Sequence, residues 1–553
     1  ITKLQIISYG LPFFSQEDEN AFLKSTISFI SFITGIKFIL GGDPLIAPLI
    51  NLILTLKVIF INEFIINSLS LSEIKQKIYQ NSSILILYGR YISLLISTLS
   101  LVVLFLIFKK LKIHFYIYFP MLVSISLSLF LMTVSIVNGK NSFYLLFFLI
   151  QLYFFIKYYL KINNFNKKTY LFFAILASLA WGTNYWCAIV SFYGILILHY
   201  KKFRLKHLNY FFYFALLFIF LGLLPNLFLS DLFFSFFLGD NYHDSFSLLN
   251  FLENIKNKTI YSLEIIYNTE KFIFLFIPIL ILYLSKNLVN KKIIIILGIL
   301  IIEPILLFSL AEKVIPELRY FSGMICLMFI LSGIMIKDLS IYYKTKVLII
   351  LFLVFNFTII YQKSHTFIGV NKILKKNHTF INFFEKNKNI NSEILYIIPR
   401  LNHRKNFKNL VLYKNLHEKN IIKNKQFERD NYEEILKKIK KNIPSEVNKD
   451  LNIYSHEFFS IEDYKMFFLE VKKSYKYVAI QQNNLNSDGV MNFIKLNFKK
   501  NIFPRNVDVK DLSFNNGIRD IFKFLYNGGS IVNLNDNFFI GNNYVLYSIN
   551  TDK

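Results

Sequence analysis

Long apolar runs recur through the first two thirds of this 553-residue chain, and they constrain its fold more than any other feature. From residue 84 they cover about 84–108, 115–137, 142–160, 170–182, 185–199, 208–230, 271–285, 293–311, 319–336 and 347–361. Helices of this kind cross a hydrocarbon core of roughly 30 Å, where no water exists to satisfy an open backbone. Only 18% of the residues are charged, against about 25% in a soluble chain. The expected fold class is a polytopic α-helical membrane protein. A soluble enzyme, a disordered chain and a fibrous protein are excluded.

The segments joining the runs alternate in charge. KKLK at 109–112, the stretch 157–168, KKFRLKH at 201–207, KNLVNKK at 286–292 and the stretch 337–346 are basic. NGKN at 138–141, WGTNYW at 181–186, LGDNYHD at 238–244 and AEKVIPE at 311–317 are short, polar or acidic. The positive-inside rule makes the first set cytoplasmic and the second external, and the alternation does not break. The net charge of +27 is absorbed by these basic loops and by a general inflation of Lys, Asn, Ile and Phe. No nucleic-acid-binding signature accompanies it, so no nucleic-acid partner is expected. Two cysteines, both within apolar runs, exclude a disulfide scaffold. Runs 170–182 and 185–199 are too short to span unless neighbours shield them or they are re-entrant.

Residues 1–14 read as the end of a helix entering a loop, so a first spanning helix is expected upstream, for roughly 11–13 spans in all. Residues 21–66 carry two apolar stretches divided by GGDP at 41–44. They form either a tight hairpin across the membrane or two juxtamembrane helices. Lys37, Asp43, Lys57 and Glu63 interrupt them, which favours helices lying in the outer interface. The expected transmembrane unit is 1–361, with 17–83 as its first external loop. From Gln362 the composition turns soluble, and parity puts 362–553 outside as an extracytoplasmic α/β domain. Strands are expected at 390–397 and 475–480, helices at about 371–388, 431–442 and 461–474, and a hairpin at 538–549 turning at Gly541-Asn542-Asn543.

Candidate chemistry is sparse. Glu17, Asp18 and Glu19 are adjacent carboxylates near the membrane; their mutual repulsion can prepare a base, or they simply cap a helix starting near Ala21. Arg90 and Arg319 stand at the external mouths of two spans, where an arginine either snorkels to head groups or clamps a phosphate with its two-pronged fork. Lys140 is a further external cation or an anchor. His243, flanked by Asp240 and Asp244, is a weak candidate for a metal ligand or proton shuttle. No phosphate loop, dinucleotide fingerprint, HExxH or serine elbow is present. Glu303, before Pro304, is the one clear charge inside a span and needs a partner or a cavity.

The order of LPFFSQEDENAF at 11–22, DPLIAPLINL at 43–52, YGRYISLLISTLSLVVLFLIFKKL at 88–111, FAILASLAWGTNYW at 173–186 and PELRYFSGMICLMFILSGI at 316–334 resembles the GT-C type membrane glycosyltransferases. Within these it is most similar to the protein mannosyltransferase and aminoarabinose transferase branch, over about residues 1–340. It departs from that pattern in having no histidine before the proline stretch and Ala47 between its prolines. The resemblance implies transfer of a sugar from a polyprenyl-phosphate donor to an extracytoplasmic protein, lipid or polysaccharide, with inversion. It implies Asp18 as general base, Glu19 as its orienter or acceptor contact, and Arg90 and Arg319, with Lys140, holding the donor phosphate. Glu17, Tyr320, His243 and Asp240 are accessory candidates. No metal or other cofactor is expected, and the implied location is a bacterial cytoplasmic membrane with the site facing outward among membrane lipids. A transporter or flippase for lipid-linked or anionic solutes and a non-catalytic membrane scaffold are the alternatives. The transporter predicts broken helices and paired charges at mid-membrane depth.

Overall fold

The computed structural model describes residues 46–74, 83–161, 166–201, 208–225, 248–310 apart from Asn287 and Val289, 318–344 and 346–376, together with Lys3, Phe22 and six strand segments. Helix α1 is Ile46–Ile59, continuing as a π-helical stretch Phe60–Ile66, and α2 is Ser83–Lys110. Then come α3 (Phe115–Ser126), α4 (Leu129–Ile136), α5 (Lys140–Leu160), α6 (Lys167–Trp181), α7 (Ile189–Lys201), α8 (Leu208–Phe218), α9 (Leu248–Thr269), α10 (Ile273–Leu284), α11 (Lys291–Leu310), α12 (Ser322–Tyr342) and α13 (Val347–Lys376). Among the described residues five helices are long and apolar enough to cross a membrane, or up to seven if each of two bent pairs counts as one span. The protein is a multi-pass helical membrane protein.

The bundle has two chemically distinct ends. Lys109 and Lys110 close α2, Lys157 lies in the last turn of α5, Lys167 opens α6, Lys201 closes α7 and Lys291 opens α11. Tertiary contacts confirm that these termini share a level: Lys201 Nζ donates to Tyr159 O (3.1 Å) and Lys337 Nζ to Leu111 O (3.0 Å). At the opposite end stand the starts of α2 and α5, where Ser142 Oγ meets Ser93 Oγ at 3.5 Å. That end carries Arg90, Lys140 and Arg319 and is called the arginine end below. Helix α12 threads the middle, with every residue from Ser322 to Ile336 buried. A helix apolar all round belongs in such a position. The last helix, α13, does not stop at 361 as expected but continues to Lys376.

Three parts of the bundle stop short of the arginine end. At 1.5 Å per residue the 12-residue α3 and the 12-residue α10 each reach about 18 Å, and the 13-residue α7 about 20 Å. Helix α3 bends by 57° into α4, and α9 bends by 108° into α10. The α6–α7 connection is level with the middle of α5, because Gln151 Nε2 donates to Cys187 O (2.9 Å) and Gln151 Oε1 accepts from Ser191 N (3.1 Å) and Ser191 Oγ (2.6 Å). The two short runs are therefore a hairpin whose turn is sunk inside the bundle. Buried glutamine supplies the hydrogen bonds that lipid could not.

Helix α1 with its π-helical extension is 21 residues long and apolar, one of the helices able to cross a membrane by length and composition. The N–H groups of Ile46 and Ala47 donate to Gly182 O (2.6 and 3.1 Å), and Asn62 Nδ2 donates to Tyr88 Oη (2.8 Å), near the start of α2. Ile53, Leu56, Phe60, Ile61, Phe64 and Ile65 form the exposed stripe of α1 and its extension. A Cβ at position 182 would lie 2.1 Å from Ile46 Cγ1. Gly182→Ala is thus expected to lever α1 off the hairpin and lower stability by about 1–3 kcal/mol, measured by thermal unfolding in detergent.

Beyond α13 the described residues are six strands: β1 (Ile394–Pro399), β2 (Ile422–Lys423), β3 (Asn452–His456), β4 (Tyr477–Gln481), β5 (Phe498–Phe503) and β6 (Tyr544–Ile549). They make one sheet in the order β2-β3-β1-β4-β6-β5, parallel from β2 to β4 and antiparallel at β6. The strands expected near 390–397 and 475–480 are present as β1 and β4. Of the hairpin expected at 538–549, the second half is β6, which pairs with β4 on one side and β5 on the other; its first half and turn, 538–543, lie outside the described residues. The helices expected at 431–442 and 461–474 lie outside the described residues, as does 377–388 of the one expected at 371–388.

Candidate functional site

Arg90 sits in the second turn of α2 and is fully enclosed, with no exposed surface. A snorkelling arginine keeps its guanidinium in water or among head groups, so Arg90 is not of that kind. A charge so deeply buried is stable only with hydrogen-bonding or ionic company, and Arg90 has it. One residue earlier, Gly89 lets the neighbouring chain close in: a Cβ there would lie 2.2 Å from Asn138 Nδ2. Asn138 is itself fully buried, and two residues on Lys140 opens α5, half-buried.

Arg319 lies on a 3-10 turn, Leu318–Phe321, that leads into α12, and it is 9% exposed. Its guanidinium carbon is 5.1 Å from the centre of the Tyr320 ring, and Nη2 is 3.4 Å from Tyr320 Oη. Cation–π contact of this kind holds the plane of an arginine while leaving its edge for an anion. The turn packs against α4, and α4 packs against α2. The two arginines therefore stand on elements flanking one short helix, whose C-terminal end runs through Asn138 to Lys140. Lys3 Nζ lies 3.5 Å from Leu131 O, in the first turn of α4. Asp18, Glu19 and Glu17 lie outside the described residues, as do Asp240 and His243. Among the described residues no group of three His, Cys, Asp or Glu side chains could hold a metal.

Two buried polar clusters escaped the sequence reading. Glu63, 2% exposed on the π-helical stretch, accepts from Asn62 Nδ2 (3.1 Å) through Oε1, from Asn67 Nδ2 (3.0 Å) through Oε2, and from the Tyr88 hydroxyl. The second lies deeper. Lys363 of α13 is ion-paired with Glu270, and the two are 6% and 2% exposed. Lys363 Nζ also donates to Ser128 Oγ (2.7 Å), Ser124 Oγ (3.2 Å) and Ser124 O (3.3 Å), while Ser128 Oγ donates to Glu270 Oε2 (2.8 Å). The ammonium rests over Phe329 of α12, 5.2 Å from the ring centre, and Phe329 stacks on Phe272. Glu270 is at the α9–α10 break and Ser128 at the α3–α4 break, so both bends meet at one charge pair.

Lys363 is about 24 Å along α13 and Ser124 about 14 Å along α3 from the lysine end, which places the pair inside a core of roughly 30 Å. The sequence expectation of a single clear intramembrane charge, Glu303, is corrected by this pair. The side chain of Glu303 lies outside those described.

Comparison with protein-family models, curated proteins and solved structures finds no match to this chain. Fold and site together define a class, a multi-pass helical membrane protein with buried cations at one end and a buried ion pair where two helix bends meet.

Proposed function

We propose that the protein transfers a sugar from a polyprenyl-phosphate donor to an acceptor at the arginine end of its bundle. The observation that carries this reading is the enclosed Arg90 on α2 and Arg319 on the turn before α12, on elements flanking α4 with Lys140 at its far end. A leaving polyprenyl phosphate gains negative charge as the glycosidic bond breaks, and fixed guanidinium groups in a dry site stabilise that charge strongly. The acceptor oxygen or nitrogen attacks the anomeric carbon, Asp18 takes its proton, and the lipid phosphate departs with the bonding electrons. Direct displacement inverts the anomeric centre. Glu19 orients the base or the acceptor, and no metal is assigned. The arginine end faces outward from a bacterial cytoplasmic membrane in this reading, and the sheet belongs to an extracytoplasmic α/β domain.

The test is sugar transfer in proteoliposomes, with a panel of labelled polyprenyl-phosphate sugars and a cell-envelope acceptor extract. Label is expected to move. Arg90→Lys keeps the charge and loses the fork, so donor affinity is expected to fall about 10-fold or more. Transfer by no panel member, with donor retention unchanged in Arg90→Lys, would count against the reading.

A second reading is favoured by the buried pair of Glu270 and Lys363 between two broken helices, the arrangement a transporter of lipid-linked or anionic solutes requires. It predicts movement of donor across liposomes with no acceptor present, whereas the transferase predicts none.

A further inference from the structure

We infer that Glu270 and Lys363 are positioning residues for the anion site at the arginine end, acting on it through α4; this rests on the donor-phosphate reading above. Ser128 is the residue from which α4 starts, and its hydroxyl is held from both sides, by Lys363 Nζ at 2.7 Å and Glu270 Oε2 at 2.8 Å. Three otherwise separate parts of the chain, α13, the α9–α10 bend and the α3–α4 bend, are fixed to one another at that point.

From there α4 is a rod of eight residues, about 12 Å long, and all eight are buried. It has no exposed side on which to give. Close-packed interiors pass a displacement on instead of absorbing it. Along its length it meets α2, which carries Arg90, and the turn that carries Arg319. At its far end Val137 leads into Asn138, pressed against Gly89, and then into Lys140. A charge pair at the two bends thereby sets where the cations some 12 Å further out can stand.

The chemistry suits this role. The Lys363 ammonium has three protons and meets Glu270, Ser128 and Ser124, while Glu270 Oε1 also accepts from the Phe272 N–H (3.2 Å). Facing the pair from α12 are Phe329 and, one turn away, the free thiol of Cys326, 1% exposed. A clasp satisfied on every side is rigid. Losing either partner leaves the other seeking water and frees the bend at Ser128.

The experiment uses the full chain in phosphatidylcholine nanodiscs and a Cys187→Ser background, so that Cys326 is the remaining thiol. Maleimide labelling of Cys326 reports the clasp, and retention of a synthetic polyprenyl phosphate reports the anion site. Lys363→Met is expected to label about 10-fold faster and to bind the lipid phosphate about 10-fold more weakly. The exchanged pair, Glu270→Lys with Lys363→Glu, restores the attraction and is expected to recover both towards the parent.

Equal labelling in all three proteins overturns the inference, as does a Lys363→Met protein that opens at Cys326 and binds the phosphate as the parent does. A parent that retains no polyprenyl phosphate overturns the donor reading first and this inference with it. A single variant that fails to fold is separated from these cases by the exchanged pair, which keeps both charges.

Discussion

Lys363→Met should lower the stability of the solubilised protein by about 3–5 kcal/mol, because it strands Glu270 as a buried charge without its counter-ion. The loss is larger than that of the methylene packing, which methionine preserves. Ser128 and the Phe272 N–H remain as donors to Glu270 but carry no charge. Glu270→Leu leaves the Lys363 ammonium with Ser124 and Ser128 alone, and should cost a comparable amount.

Removing both charges is a different matter. In the double variant Glu270→Leu with Lys363→Met neither ion has to be desolvated, and stability should return to within about 1–2 kcal/mol of the parent. Thermal unfolding of the four proteins in one detergent measures the cycle. A double variant no more stable than either single one would show that packing at the bends, and not charge, is what these residues supply.

The helices were legible in the sequence because lipid demands long uninterrupted apolar runs, and basic loops mark one end of them. The expected runs from 84 to 160 correspond closely to α2 to α5. The ion pair was not legible for the same reason. Glu270 stands just before the run 271–285 and Lys363 just after the run 347–361, so each reads as the polar flank of a span. Only the 108° bend and the continuation of α13 to Lys376 carry them into the interior.

Arg90 stands out in the sequence, but its neighbours there cannot say whether it faces lipid or protein. That depends on Gly89 admitting Asn138, a contact between helices. Gly182, where α1 is received, is of the same kind: a glycine in a tryptophan-rich turn gives no hint that Ile46 will press on it.

On the proposed transferase reading, the recessed elements give a bundle of membrane helices room for group transfer. An anionic leaving group in a hydrocarbon core needs both cations and room. Here α7 and α10 stop at about 18–20 Å and α4 is eight residues long, so the arginine end is assembled partly from short pieces while α2, α12 and α13 hold the full height. Short pieces need clamps where long ones need none. Gln151 with Ser191, Glu63 with Tyr88, and Glu270 with Lys363 are three such clamps, each placed where a helix ends or bends.

Asp18→Asn should lower kcat for sugar transfer by about 10²–10⁴-fold while leaving donor affinity within a factor of about 2, since a general base acts on the acceptor proton and not on the donor phosphate. Asparagine keeps the size and the hydrogen-bonding ability of the side chain and removes only its basicity. A fall in kcat without a rise in donor Kd therefore identifies proton transfer. The arginines should behave in the converse manner. Arg90→Lys weakens donor binding and lowers kcat together, because the phosphate is held in the ground state and more tightly as its charge develops. In the double variant the two losses should be less than additive if both groups act in one transition state, as catalytic groups working together do. Single-turnover transfer with saturating donor separates the cases. If Asp18→Asn transfers at the parent rate while Arg90→Lys is impaired, another group is the base and the acidic loop at 17–19 merely caps a helix. If both variants transfer as the parent does, the cations around α4 serve a different anion, and donor movement without acceptor becomes the measurement that decides.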